Sequence, residues 1–216
     1  HHLEEVHIAS DRNLTDPRFP VQWVVRPRGD EHHDYRGYAG TVAGGVIKPG
    51  DEVMVLPSGF TSTVDALDTP AGPVDEAFAP MAVTVRLADD LDISRGDMLC
   101  RPNNRPIATQ DLDATICWMN ESSELRPGQK LAIKHTTRWA RVMVADLVYR
   151  LDVNTLHRDP GASALGLNEI GRVRLRCTRP LFVDDYRRNR ITGSFMLVDE
   201  ATNATVAAGM VRGAGG

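Results

Sequence analysis

The chain has 216 residues, 42% of them hydrophobic and 25% charged, enough for one large domain or two of about 100 residues with proper cores. No apolar run approaches the roughly 20 residues of a bilayer-spanning helix, and the opening HHLEEVHIASDRN lacks the basic and apolar regions of a signal peptide. Net charge is −4 but uneven: residues 1–108 carry 17 acidic against 10 basic side chains and residues 109–216 carry 12 against 15, which argues against a general nucleic-acid binder in the first half and leaves that option only to the second.

In chain order, Leu3 to Ile8 reads as the end of a helix, and strands dominate thereafter. Short strand-like runs bounded by Gly, Pro, Asn and Asp occupy Val21–Val25, Ala39–Val42, Glu52–Leu56, Ala82–Leu87, Leu112–Met119, Lys130–Lys134, Trp139–Val148 and Gly171–Cys177. A closing pair lies within Asn189–Val211. Many short strands separated by turns predict barrels or sandwiches. One turn recurs in IKPGDEV (Ile47–Val53), ISRGDML (Ile93–Leu99) and LRPGQKL (Leu125–Leu131), each with Gly where a type II turn needs positive φ. The Pro- and Asn-rich stretch Cys100–Asp111 reads as an inter-domain linker. The fold expected is therefore all-β: two consecutive antiparallel barrels, the second sealed by the terminal hairpin. Ala207, Ala208 and Gly209 in its last strand predict close backbone approach to a neighbour.

Catalytic signatures are sparse. The sequence has three lysines, Lys48, Lys130 and Lys134, and none follows a glycine, so no phosphate-cradling G-x-x-x-x-G-K-[ST] loop occurs in it. Asp34–Gly37 matches D-x-x-G but without that loop reads as a turn into a strand. His32 and His33 are adjacent and would point to opposite faces of a strand, a poor metal pair. His135 and His157 are lone histidines, and the pairs Asp89–Asp90 and Asp184–Asp185 read as solvated loop charges. Cys100, Cys117 and Cys177 are single, distant and odd in number, which fits buried thiols in a reducing cytoplasm better than disulfides or zinc. No catalytic, cofactor-binding or metal-ligating residue is expected in this chain. The candidates for an interface are Arg172, Arg174 and Arg176, which alternate with apolar residues in GRVRLRC, and Arg187, Arg188 and Arg190 just beyond. Such a face is either a solvated outer wall or a surface for an acidic partner or a phosphate backbone.

YRGYAGTVAGGVIKPGDEVMVLPSG (Tyr35–Gly59) resembles the second domain of translational-type GTPases, and RPGQKLAIK with the terminal TVAAGMV resembles their third. FPVQWVVRP, DISRGDMLC, DVNTLHRD, LNEIGRVRL and DDYRRNRITGSFMLVDEATNATVAAGM are similar to the large, GTP-binding subunit of bacterial sulfate adenylyltransferase. The resemblance spans about Phe19 to Val211.

That resemblance implies a nucleotide domain followed by two barrels. Residues 1–17 would end the nucleotide-domain helix and its linker, 18–104 form the first barrel, 105–212 the second, and 213–216 a tail. It further implies an enzyme that adenylylates sulfate with ATP, giving adenosine 5′-phosphosulfate and pyrophosphate, driven uphill by GTP hydrolysis. GTP and Mg²⁺ would sit on the nucleotide domain, whose phosphate loop and magnesium residues precede this sequence. The implied partners are the small adenylyl-transferring subunit, the chain's own GTPase domain and, in some bacteria, a fused adenylylsulfate kinase, to which Arg212–Gly216 would be the linker. The alternative reading is a pair of RNA-binding barrels of a translation-factor-type GTPase.

Overall fold

The computed structural model describes residues 13–26 and 35–214, and among these every regular element is a strand. The sequence expectations at Leu3–Ile8 and His32–Asp34 lie outside the described residues. The first unit contains β1 (Arg18–Val25), β2 (Gly37–Thr41), β3 (Val46–Ile47), β4 (Glu52–Leu56), β5 (Thr61–Thr69), β6 (Gly72–Pro73), β7 (Ala77–Phe78), β8 (Ala82–Leu87) and β9 (Met98–Cys100). The second contains β10 (Ile107–Trp118), β11 (Lys130–His135), β12 (Arg138–Leu151), β13 (Arg158–Asp159), β14 (Ile170–Val183), β15 (Ser194–Val198) and β16 (Thr205–Ala214).

Every pairing is antiparallel. The first sheet runs β4–β9–β1–β2–β8–β5–β6 and the second β11–β15–β16–β10–β14–β12–β13. A β4–β5 pairing closes the first into a ring and a β11–β12 pairing closes the second, so each core strand has two neighbours and no long edge is left to aggregate. In the first barrel two strands turn the corners by changing partner. Arg18–Pro20 of β1 pairs with β9 and Val21–Val25 with β2, while Thr61–Met54 pairing joins β5 to β4 before β5 crosses to β8.

Alternation along the strands fills each cylinder. Phe19, Val21, Tyr38, Val55, Leu67 and Val85 pack inside the first, and Leu112, Ile116, Trp118, Val144, Leu175 and Phe195 inside the second. The Trp118 indole N–H donates to the Ser123 carbonyl at 2.6 Å, so the largest core side chain carries no unsatisfied donor. The terminal hairpin does seal the second barrel, with β16 hydrogen-bonded between β15 and β10. The close approach expected in its last strand falls at Gly209, where an added Cβ would lie 2.2 Å from the Phe195 ring. Ala207 faces inward and Ala208 outward.

Beyond the two-residue strands β3, β6, β7 and β13, two strands lie outside the expected runs. β5, TSTVDALDT, puts Thr and Asp on its outer face and so lacks an apolar run, and β9 has only three residues. Several others are longer than the sequence suggested, chiefly β10 and β14, where Ile107–Thr109 and Leu181–Val183 are held in register with each other.

The recurrent turn has one geometry at Lys48–Asp51, Ser94–Asp97 and Arg126–Gln129. In each, the fourth backbone N–H donates to the first carbonyl at 3.1–3.2 Å, and the fourth side chain accepts from the first N–H. The third residue is Gly50, Gly96 or Gly128, with φ of 88°, 94° and 87°. Each turn also exchanges a pair of backbone hydrogen bonds with one residue of a neighbouring strand, Val64, Val21 or Val144, immediately before that strand bulges away from its previous partner. A fourth copy, Gly166–Glu169, makes the same bonds to Trp118 with Asn168 at φ 62° in the glycine position. Each barrel thus has two such turns. Around Gly128 nothing lies within 4 Å of an added Cβ, so Gly128→Ala should destabilise by backbone strain alone, about 1–2 kcal/mol. Asn168→Gly should be neutral or stabilising by up to about 1 kcal/mol, since asparagine tolerates that conformation and glycine prefers it. Urea unfolding of the two variants checks both signs.

Candidate functional site: the seam between the barrels

Arg18 opens β1 at 0% exposure, and all five of its N–H donors are used. Nε and Nη2 grip the two oxygens of Asp184 at 2.9 and 3.0 Å. Nη1 donates to the carbonyls of Pro17 and Asn104 at 2.9 and 2.8 Å, and Nη2 also reaches Asn104 Oδ1 at 3.2 Å. Asp184, buried just past β14, accepts in addition from the Thr192 hydroxyl at 2.7 Å. One guanidinium therefore joins the first barrel, the stretch between β9 and β10, and the second barrel. The segment expected to be an inter-domain linker is tied to Arg18 at Asn104, and β10 begins within it.

A second charge pair extends the network. Asp16 accepts from Arg188 Nε and Nη2 at 2.7 and 2.6 Å, from Asn13 Nδ2 at 2.6 Å and from Asn104 Nδ2 at 2.7 Å. Hydrogen bonding by Arg188, opposed by burial and aided by the two asparagines, holds this carboxyl far below the usual carboxylate range. Asn189 donates to the Ala43 carbonyl at 3.0 Å and accepts from the N–H groups of Ile191 and Thr192, shaping the loop 184–192 against the first barrel. Room for it exists because residue 44 is glycine: a Cβ there would lie 2.6 Å from Asn189 Nδ2. His135 Nε2 lies 2.7 Å from the Thr192 carbonyl. Burial pushes this imidazole down in pKa, so the neutral ring donates through Nε2.

At the other end the seam is apolar. Phe182 packs with Leu56, Met98 and Cys100 of the first barrel. The Arg138 guanidinium stands 4.8 Å from the Phe182 ring centroid, donates to the carbonyls of Pro180 and Gly96, and lies 3.6 Å from Asp97. The Ser94–Asp97 turn is thus a contact between barrels.

Asp184 and His135, read from sequence as a solvated charge and a lone histidine, are buried members of this seam. Their partners lie 166 and 57 residues away, so no local pattern in the sequence marks them. The interface candidates divide. Arg172 pairs with Asp113, Arg176 with Asp111 and Arg174 with Asp146, so the cationic stripe of β14 lies between acidic stripes on β10 and β12. Asp111 and Asp113 alternate in QDLDATICW in the same phase as the arginines, a signal present in the sequence. Arg188 holds Asp16 in the seam. Arg187 is exposed, and Arg190 lines a groove on the outer wall of the second barrel. Cys100, Cys117 and Cys177 are free, the first and last buried and Cys117 partly exposed. Desolvation pushes the Cys100 thiol up to about 11 and the Cys177 thiol to about 12. Among the described residues no helix is long and apolar enough to cross a membrane.

Comparison with known proteins accords with this architecture. A family model described as GTP-eEF1A C-terminal domain-like matches residues 111–212, the second barrel. The chain is 62% identical over 210 residues to the bifunctional enzyme CysN/CysC of Mycobacterium tuberculosis, covering 97% of this chain and 34% of that protein. It is 47% identical over 208 residues to sulfate adenylyltransferase subunit 1 of Teredinibacter turnerae, covering 96% and 43%. The chain is a homologue of sulfate adenylyltransferase subunit 1. It spans about a third of the bifunctional relative and under half of the subunit 1 relative. The crystal structure of Sup35 complexed with GMPPNP superposes with a TM-score of 0.81 at 22% identity, covering all of this chain and 51% of that one, which establishes the shared fold of two barrels.

Arg18→Met should cost about 3–5 kcal/mol by stranding a buried carboxylate, and adding Asp184→Leu should recover much of the loss. Equal destabilisation by the single and double variants in urea titrations would separate Arg18 from Asp184. For Asp16, a depressed folded-state pKa means stability that is fully present above the ordinary carboxylate value, about 4, and is lost as pH falls below it. The stability of the parent chain should decline through that acid window, and Asp16→Asn should flatten the decline.

Proposed function

We propose that the chain is the two-barrel body of a GTP-driven sulfate adenylyltransferase subunit, working in the cytoplasm in sulfate activation. It makes and breaks no bonds itself. It holds the small adenylyl-transferring subunit and carries to it the nucleotide state of a GTPase domain, so that GTP hydrolysis drives ATP and sulfate to adenosine 5′-phosphosulfate and pyrophosphate. The residues of this chain do not fit GTP and Mg²⁺, since the sequence has no phosphate-cradling loop; both belong to the nucleotide domain. CysN/CysC relatives support a fused adenylylsulfate kinase as a further neighbour.

The observation that carries this reading is the seam. Residues 13–17, the start of β1 and the loop 184–192 share one set of hydrogen bonds and ion pairs, so movement of the segment ahead of β1 is felt on the second barrel. Coupling requires a ligand that favours one of two arrangements, and a buried network with fixed partners resists intermediate ones. The RNA-binding alternative is weakened, because Arg172, Arg174 and Arg176 of the basic strand are each matched to a carboxylate.

In the assembled two-subunit enzyme, Asp16→Asn should retain the small subunit yet reduce the stimulation of adenosine 5′-phosphosulfate synthesis by GTP several-fold. Undiminished stimulation, measured as product formed with and without GTP, would remove the relay. Failure of the parent protein to co-purify with the small subunit would remove the docking role.

A further inference from the structure

The register of the second barrel lines up one outward residue from each of its six main strands. Trp139 of β12 lies opposite Lys134 of β11, Lys134 opposite Met196 of β15, and Met196 opposite Ala208 of β16. Ala208 in turn faces Cys117 of β10, which faces Ile170 of β14. Only Lys134 in this row is charged, and its ammonium stands 5.7 Å from the centroid of the Trp139 ring. On the next row Met210 lies between Ser194 and Thr115. A groove of about 700 Å³ opens here, floored by small residues such as Ala208 and flanked by Met196, Met210 and Ile191, each 39–45% exposed. A contiguous apolar groove on an outer wall marks an interaction surface, and methionine flanks adapt to the shape of an inserted side chain.

The charge around it is one-sided. The charged side chains lining the groove are Lys134 and Arg190, and no carboxylate lines it, although the chain carries a net −4. The other outer wall of the same barrel is laced with the Arg–Asp pairs of β10, β12 and β14. The groove is also continuous with the seam through one loop: Tyr186, Arg190 and Ile191 face the groove, while Asp184, Arg188 and Asn189 hold the first barrel and residues 13–16.

We propose that this groove seats the small adenylyl-transferring subunit, taking from it an apolar side chain flanked by Asp or Glu, with the large group filling the hollow over Ala208. The inference rests on the function proposed above and names the surface that performs its docking step. Through the loop 184–192, occupation of the groove and the position of the segment ahead of β1 would bear on the same few residues.

The test uses the full-length subunit containing this chain, with titration calorimetry against the purified small subunit at two ionic strengths. Ala208→Arg fills the hollow from an outward position and should weaken binding about tenfold or more. Lys134→Glu should weaken it several-fold, and added salt should weaken the parent complex. Met143→Arg, on the ion-paired wall opposite Arg176, should bind as the parent does. Cys117 gives a reading that needs no substitution: its alkylation should slow when the small subunit is bound, while the buried Cys100 and Cys177 thiols stay silent near neutral pH. If the parent protein binds but Ala208→Arg and Lys134→Glu bind equally well and Cys117 reacts at an unchanged rate, the groove is not the seat, and the proposed function stands without it. If Cys117 is already protected in the subunit alone, another part of the chain or a second copy covers the groove and the proposal falls. No binding by the parent protein overturns both. Should Ala208→Arg fail to fold, as judged by circular dichroism, Cys117 protection decides.

Discussion

A guanidinium with five donors and no exposure to solvent must find five acceptors at once, and in this fold it finds them on three separate stretches of chain. Arg18 takes Asp184 side-on, two backbone carbonyls and an asparagine oxygen. Removing any one acceptor would leave a buried charge short of a bond, an arrangement that costs far more than it gained. The barrels are therefore held at a particular angle by an all-or-nothing set of contacts as well as by area. The apolar contact around Phe182 supplies adhesion, and the arginine supplies register.

The same economy of parts shows in the walls. Four turns of one design bracket the strands, two per barrel, each holding one strand residue by a pair of backbone hydrogen bonds. On the second barrel the outer wall is split: one side carries charge matched to charge, and the other carries methionines, a small-residue floor and two cations. Cross-strand ion pairs keep a wall soluble and self-contained. The wall of methionines and small residues has apolar surface to offer, and the loop beneath it is the one that grips the seam.

Much of this was legible beforehand. The all-β class, the turns with their glycines and the sealing hairpin followed from period-two alternation and from the steric uniqueness of positive φ. The fourth turn escaped because asparagine stands where glycine was sought, and β5 escaped because threonine and aspartate cover its outer face. Asp111 and Asp113 were visible in phase with the arginines of β14. Their pairing was not, because register across strands separated by some 60 residues is set by barrel closure.

What the sequence by itself determined are the properties carried by neighbours along the chain: strand, turn, alternating face, and the lack of a phosphate-binding loop. What only the tertiary structure decided are the partners of Arg18, Asp16 and His135, and the row from Trp139 to Ile170. The physical reason is range. Backbone sterics and side-chain alternation act over two to four residues, whereas a buried charge is satisfied by whatever the folded chain brings within 3 Å, and for Arg18 that was a carboxylate 166 residues away.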